Sequence, residues 1–409
     1  MSTSSLRVLV VHNRYRSEQP SGENNVVDQE VALLAEAGHD VSLFERRSDD
    51  ISAMSLPGKV AVPLCVPWNR AVRAELTAKL RAERPDVVHI HNTFPLLSPS
   101  VVAACVDAGV PAVATLHNYG MVCPPGTLYR DGHVCTDCVG GAPLPAVRHG
   151  CYRGSRVATL PMAASLLANR RRWWSDVARF FCISGAQRDI LVDSGMPAQR
   201  LSVKHNFVTD PGVRRSGPGE HVLFLGRLTA EKGVSLLMAA WDRIAADMGV
   251  PLVLAGTGPM QDEVVRWAQG RDDVQYVGLR NKAECQDLTA RASAVVAPSV
   301  WLEAFGLVVV EAMAAGVPAV AADHGAFPEL IENGVTGLLH RPDDAASLAE
   351  SLRSVMTVSS TSSTAPNNEQ MGVAARSRYE QGFSPAVGLE RLIAGYEAAI
   401  ASREGSSVK

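Results

Sequence analysis

No stretch of this sequence reaches the roughly 18 uninterrupted apolar residues that a membrane-spanning helix needs. The longest candidate, residues 307–322, is broken by Glu311, Gly316 and Pro318. The opening apolar run stops at His12-Asn13-Arg14, too short for the apolar segment of a secretory signal and without a small-residue cleavage site. An excess of one charge is also lacking. Lys and Arg number 39 and Asp and Glu 42, a net charge of -3, so no global field favours nucleic acid. These absences predict a cytoplasmic protein in a reducing compartment. What is present is the balance of a globular chain, 46% hydrophobic and 20% charged, over 409 residues. That length suits two domains of roughly 200 residues each.

Short β-branched runs alternate with longer amphipathic stretches. Residues 6–11 read as a buried strand, 23–38 as the helix after it and 40–44 as the next strand, with further strands at 86–91 and 112–116. The rhythm restarts after Asn206, with strands at 221–225, 252–255, 274–277 and 294–297 and a turn at 226–233. Repeated units of this kind predict parallel sheets covered on both faces. The fold class expected is α/β, two Rossmann-like doubly wound domains facing a central cleft, with ligands beyond the carboxyl ends of the strands. The domains run 1–206 and 207–383, followed by a helix within 384–409, and Thr209-Asp-Pro-Gly is the hinge candidate. Residues 357–370, rich in Ser and Thr, read as a mobile surface loop without assigned function.

The strongest chemical signal is Trp301-Leu-Glu-Ala-Phe-Gly-Leu-Val-Val-Val-Glu-Ala-Met313. A helix is predicted from Leu307 to Ala315, ended by Gly316 ahead of Pro318. Glu303 lies in the loop before it and Glu311 a little over one turn inside it. Free N–H groups at a helix start suit a diphosphate, and two flanking carboxylates could accept sugar hydroxyls. A core helix with one buried, paired Glu fits the same spacing. Arg227 and Lys232, on the turn 226–233, read either as solvated charges or as phosphate partners.

Glu303 and Glu311, within E-A-F-G-L-V-V-V-E-A-M, resemble the paired-glutamate E-x7-E signature of family 4 retaining glycosyltransferases, which have the GT-B fold. The resemblance extends to F-L-G-R-L-T-A-E-K-G at 224–233, A-G-T-G-P at 255–259, P-S at 298–299, A-G-V-P at 315–318, H-G-A-F-P-E-L-I-E-N-G-V-T-G-L-L at 324–339 and Phe181-Cys-Ile-Ser184. It implies transfer of a sugar from a UDP- or GDP-linked donor to an acceptor hydroxyl, with retention of anomeric configuration. Glu311 would bind the nucleotide ribose and Glu303 the donor sugar. Backbone groups at Phe305, Gly306 and Leu307 would hold the distal phosphate, and Arg227 and Lys232 would stabilise the departing diphosphate. No catalytic metal is then expected. Gly22 resembles the family's glycine loop near the phosphates, although Ser21-Gly22 stands where two adjacent glycines are usual. His117, in Leu116-His-Asn-Tyr119, resembles the histidine beside the donor sugar, and His91 and Asn92 end a neighbouring strand. The C-terminal helix is expected to return to the first domain. Two other readings are an epimerase or hydrolase of the same fold and a non-catalytic sugar-nucleotide sensor.

Of eight cysteines, Cys65, Cys105, Cys182 and Cys285 read as buried small hydrophobes. Cys123, Cys135, Cys138 and Cys151 fall within 123–151 in the order C-x11-C-x2-C-x12-C. In a reducing compartment this pattern predicts a closed, structural zinc site, with His133 and His149 as alternative ligands and two disulfides as the oxidised alternative. The loop would select the acceptor, a small molecule or glycan. Arg170-Arg-Arg-Trp-Trp174 reads as a helix end with solvated arginines and a buried Trp; peripheral membrane contact is its other reading. A homodimer is an open expectation, and the sequence does not fix the oligomeric state.

Overall fold

A computed structural model describes residues 5–17, 21–357 and 367–404. The chain forms two compact units. One comprises the chain up to Leu128, Thr136–His205 and the chain from Gly388; the other comprises Tyr129–Cys135 and Asn206–Val387.

The first unit is built on a parallel sheet of β1 (Arg7–Arg14), β2 (Asp40–Arg47), β3 (Val87–Ile90), β4 (Ala112–Leu116), β7 (Arg179–Cys182) and β8 (Leu201–Val203), in the order β2-β1-β3-β4-β7-β8. Val8, Leu9, Val10 and Val11 are buried because helices cover both faces. β1 runs three residues past the predicted strand. Its polar end stays extended because His12, Asn13 and Arg14 continue the register onto Glu45, Arg46 and Arg47, and Arg14 pairs with Asp28 at 2.6 Å and Glu45 at 2.8 Å. The helix Gly22–Glu36 is capped by Ser21, whose Oγ accepts from the Asn24 N–H at 3.2 Å. The helix Pro385–Glu404 supplies Leu392, Tyr396 and Ala399 to a core shared with Val8, Val10, Val27, Leu34, Val87, Val113 and Phe181.

In the second unit, β9 (His221–Leu225), β10 (Leu252–Ala255), β11 (Val274–Gly278), β12 (Ala292–Ala297), β13 (Ala319–Ala322) and β14 (Gly337–His340) form a parallel sheet. Its order, β11-β10-β9-β12-β13-β14, is the dinucleotide-fold order, with the reversal between β9 and β12. Trp241 is fully buried in its core, and its Nε1 donates to Asp273 at 2.9 Å. A small antiparallel hairpin, β5 (Tyr129–Arg130) with β6 (His133–Val134), lies in the segment assigned to this unit.

The hinge candidate makes contacts within the second unit: Asp210 takes Arg376 at 2.5 Å and the Val208 carbonyl accepts from the Tyr379 hydroxyl at 2.8 Å. One expectation changes. The predicted loop 357–370 is shortened at both ends, because the helix Ala345–Thr357 precedes it and Asn367 begins the helix Asn368–Gly382 with a reciprocal capping box to Gln370. Residues 358–366 lie outside the described residues.

Candidate functional site

In each sheet the strand order reverses at one place, and the loops leaving the two strands there carry most of the residues singled out by sequence. In the second unit these are the turn after β9 and the loop after β12. The turn passes through a short 3-10 segment, Ala230–Lys232, and ends at Gly233. Gly233 has φ +73°, and a Cβ there would lie 1.9 Å from the Pro298 carbonyl oxygen. Only glycine lets the two loops approach this closely. The Val300 N–H donates to the Glu231 carbonyl at 3.0 Å and locks them together.

That contact brings Lys232 onto Glu303. Lys232 Nζ lies 3.0 Å from Oε1 and 2.8 Å from Oε2, and Oε2 also accepts from Ser299 Oγ at 3.0 Å and Trp301 Nε1 at 2.9 Å. Burial is the largest influence on this carboxyl and opposes ionisation. The Lys232 charge and hydrogen bond, with the Trp301 and Ser299 donors, outweigh it and hold Glu303 below the usual carboxylate range. Its backbone is fixed from the other side by Gly325, where φ is +60° and a Cβ would lie 2.8 Å from both the Glu303 nitrogen and its carbonyl oxygen. His324 Nε2 lies 2.8 Å from the Ser299 carbonyl, completing the support. Arg227 is half-exposed and 3.4 Å from Glu231.

Phe305 and Gly306 lead into the helix Leu307–Ala315, whose start no side chain caps. Glu311 is exposed on this helix, among buried Val309, Val310, Ala312 and Met313. Its exposure does not fit a paired core Glu, but local burial raises its carboxyl above the ordinary value, with the Lys282 charge working against that rise.

In the first unit the reversal lies between β1 and β3. Gly22 opens the helix after β1. Beside it Glu23 is half-buried, its Oε2 taking the Tyr15 hydroxyl at 3.2 Å; burial pushes its carboxyl up to about 7, with the Tyr15 bond working against that rise. Asn92 is engaged by backbone: its Nδ2 donates to the Asn13 carbonyl at 2.9 Å and its Oδ1 accepts from the Phe94 N–H at 2.9 Å. His91 Nδ1 and His117 Nε2 are 2.9 Å apart, their rings stacked. Burial, followed by the nearby Lys204 and His12 charges, lowers the His117 pKa well below the ordinary histidine value.

Behind these histidines lies a cluster the motifs did not mark: Glu30, Lys204, His12 and His89, all buried. The available signal was Glu30 itself, a carboxylate on the helix face of Val26, Val27 and Leu34. Glu30, His89 and His91 bring three ligand-type atoms within 4.8 Å of one another. They do not read as a metal site, because both His89 nitrogens are engaged by Tyr396 and Thr115 and Glu30 already carries the Lys204 ammonium.

Among the described residues the four loop cysteines form no such group. Cys123 and Cys138 are buried, Cys135 and Cys151 half-buried, and Cys135 lies in the segment assigned to the second unit while the other three belong to the first. In the Arg170–Trp174 run, Trp173 is buried, Arg170 Nη1 donates to the Gly141 carbonyl at 2.8 Å and stacks on Trp174, and Arg172 stacks on Trp68. These arginines are packed on rings, not simply solvated. No helix among the described residues is long and apolar enough to cross a membrane.

Comparison with known proteins agrees with the two-sheet architecture. Residues 20–210 match the model of Glycosyltransferase Family 4, and residues 212–378 that of Glycosyl transferases group 1. The chain is 30% identical to a glycogen synthase of Mycobacterium tuberculosis over 86% of each chain. It is 31% identical to a phosphatidyl-myo-inositol mannosyltransferase of Mycobacterium leprae over 79% of this chain and 78% of that one. The structure of Anabaena HepE in complex with UDP and glucose superposes with a TM-score of 0.65 at 19% identity, covering 96% of this chain and 100% of that one, a likeness of fold. With a relative of that identity aligned over most of both chains and the two family models in tandem, the chain belongs to the glycosyltransferases of GT-B fold.

Proposed function

We propose that the protein transfers a sugar from a UDP- or GDP-linked donor to an acceptor hydroxyl with retention of configuration, as a family 4 enzyme. The observation that carries this reading is the joining of the turn after β9 to the loop after β12, which pairs Lys232 with Glu303 beside the uncapped start of the helix Leu307–Ala315. A diphosphate at that helix start meets backbone N–H groups and the positive end of the helix dipole. Arg227 and Lys232 supply two further cations to the departing group. When the donor arrives, Lys232 exchanges one carboxylate partner for phosphate, and Glu303, already ionised and oriented by Trp301 and Ser299, accepts hydrogen bonds from the sugar. Glu311, exposed a little over one helical turn further on, reaches the ribose. His117 and Gly22 serve the donor from the first unit. In this reading the acceptor oxygen bonds to the anomeric carbon on the face from which the diphosphate leaves, and its proton passes to that diphosphate.

The names of relatives support the substrate class: HepE was solved with UDP and glucose, and the mycobacterial relatives are named for glycan and glycolipid synthesis. The test is a panel of UDP- and GDP-sugars, read as nucleoside diphosphate released in the presence and absence of acceptor, with the product anomer assigned by NMR. Acceptor-dependent release with retention is expected. Release independent of acceptor identifies a hydrolase, and inversion overturns the mechanism.

We also propose that Cys123, Cys135, Cys138 and Cys151 bind one structural zinc. The Cys135-Thr-Asp-Cys138 knuckle supports it, together with the turns at Gly132 and Gly140 on either side. Metal binding would require the four sulfurs to close in from the arrangement described above.

A further inference from the structure

Glu30 Oε1 takes the Lys204 ammonium, and both side chains are almost fully buried. Its other oxygen, Oε2, is buried without a hydrogen-bond partner and lies 3.7 Å from His89 Nδ1 and 3.8 Å from His91 Nε2. The ion pair is therefore a dipole whose negative end faces two imidazoles. His89 is committed elsewhere, its Nδ1 to the Tyr396 hydroxyl at 2.8 Å and its Nε2 to Thr115 Oγ1 at 2.7 Å. His91 is not, and its Nδ1 meets His117 Nε2 at 2.9 Å.

Burial first, then the neighbouring histidines and Lys204, keep His91 neutral, and His117 is neutral for similar reasons. Each ring then carries one proton, and a hydrogen bond between them needs one N–H facing one lone pair. A carboxylate oxygen beside His91 Nε2 favours the proton on that nitrogen. His91 Nδ1 is then the lone pair, and His117 must donate to it through Nε2–H. That leaves His117 Nδ1 bare.

We infer that Glu30, acting through His91, holds His117 in the tautomer whose Nδ1 is a hydrogen-bond acceptor, so that this side chain recognises a donor hydroxyl of the sugar and offers no proton to a phosphate. Glu30 and His91 are positioning residues here. The inference rests on the proposed meeting of His117 with the donor sugar; the tautomer itself does not.

The test uses the full chain labelled with ¹⁵N-histidine. Long-range ¹H–¹⁵N spectra without ligand distinguish protonated from bare ring nitrogens, and the signals are assigned by their loss in His91→Asn and His117→Asn. A bare Nδ1 and a protonated Nε2 on His117 are expected. Glu30→Gln, which keeps an acceptor for Lys204 and removes the charge, should shift His91 and His117 toward the opposite tautomers. It should also lower kcat/KM for the nucleotide sugar by about 10- to 100-fold, the scale of losing an outer partner of a site histidine. Affinity for free nucleoside diphosphate should be unchanged. A protonated Nδ1 on His117 in the parent overturns the proposal, and so does a Glu30→Gln spectrum with unchanged tautomers. The parent spectrum decides the tautomer even if the variant does not fold. A parent that transfers from no nucleotide sugar would sink the proposed function and leave the tautomer standing.

Discussion

Lys232 and Glu303 satisfy each other in this structure, so replacing either leaves the other's charge without its partner. Removing the lysine leaves a half-buried carboxylate with only two neutral donors, Trp301 and Ser299. Lys232→Ala should lower kcat/KM by about 100-fold or more, the scale of one preorganised charge donor, with the fold retained by circular dichroism. Near-parental kinetics would remove Lys232 from the site. Glu23 gives a prediction of opposite character. Its folded pKa, about 7, exceeds the ordinary 4.5, so the native state binds the proton more tightly than the unfolded chain. The stability this contributes is fully present below the unfolded value and is lost as pH rises through the folded one. Glu23→Gln keeps an acceptor for Tyr15 and removes the titration. Relative to it, the parent should lose about 1–2 kcal/mol between pH 5 and pH 8, a figure discounted for the partial exposure of the group, in urea melts at both pH values. A constant difference between the two proteins would refute the shift. At this scale legibility was uneven. Arg227, Lys232 and Glu303 stand in short motifs that single them out, although the motifs alone left Arg227 and Lys232 between solvated charges and phosphate partners. Glu30 stood out only as a carboxylate on an apolar helix face, and nothing local named Lys204, 174 residues away, as its partner.

Elements whose burial is continuous were legible and those stabilised by polar ends were not. β4, β9 and β10 fall where the apolar runs place them, because such runs have no other way to hide. β1 and β2 run on into Arg14 and Arg47, where ion pairs and register carry the extension, and no local pattern records those. Three helices between β2 and β3, Asp50–Ala53, Leu56–Cys65 and Arg70–Glu83, were not anticipated either. The middle one leaves Leu56, Val60 and Leu64 exposed, so its pattern lacks a clear inner face. The joined loops give a sharper test at this scale. Gly233→Ala forces both a left-handed backbone on a residue with a Cβ and a collision with Pro298, so it should destabilise the protein by at least about 2 kcal/mol and weaken nucleotide binding in calorimetry. Parental binding would show that the loops need not meet. The cysteine loop is tested by composition: protein purified without chelator should carry close to one equivalent of zinc by elemental analysis. Cys135→Ser should remove it and raise the acceptor KM more than it weakens nucleotide affinity. Metal-free parent protein would refute the site.

At the scale of the molecule, each sheet reverses its strand order at one place, and most of the residues singled out by motif lie on the loops there, which followed from the order of motifs more than from any one of them. The return of the last helix to the first unit was legible only through the family resemblance: the core of the first sheet includes Leu392 and Tyr396, more than 180 residues beyond His205, and the contact has no local signature. Leu392→Ala should cost roughly 2–5 kcal/mol, the range for a buried leucine, although it lies far along the chain from every strand it supports. Hydrogen exchange should show lost protection in β1, β3 and β7 first. If β9–β13 lose protection instead, the packing described for this helix is wrong. A nucleotide that binds only the folded protein should raise its melting temperature in proportion to the logarithm of its concentration.

The placement of the helix Pro385–Glu404 also sets an order of events at the ribosome. The strands up to Val203 emerge first, yet one face of their sheet waits for Leu392, Tyr396 and Ala399. With synthesis at about 5–20 residues per second, the sheet spends roughly 10–40 s exposed while the intervening unit is made. The second unit has its whole core in hand before that wait ends. During translation the later-made half can therefore complete its core before the earlier half does.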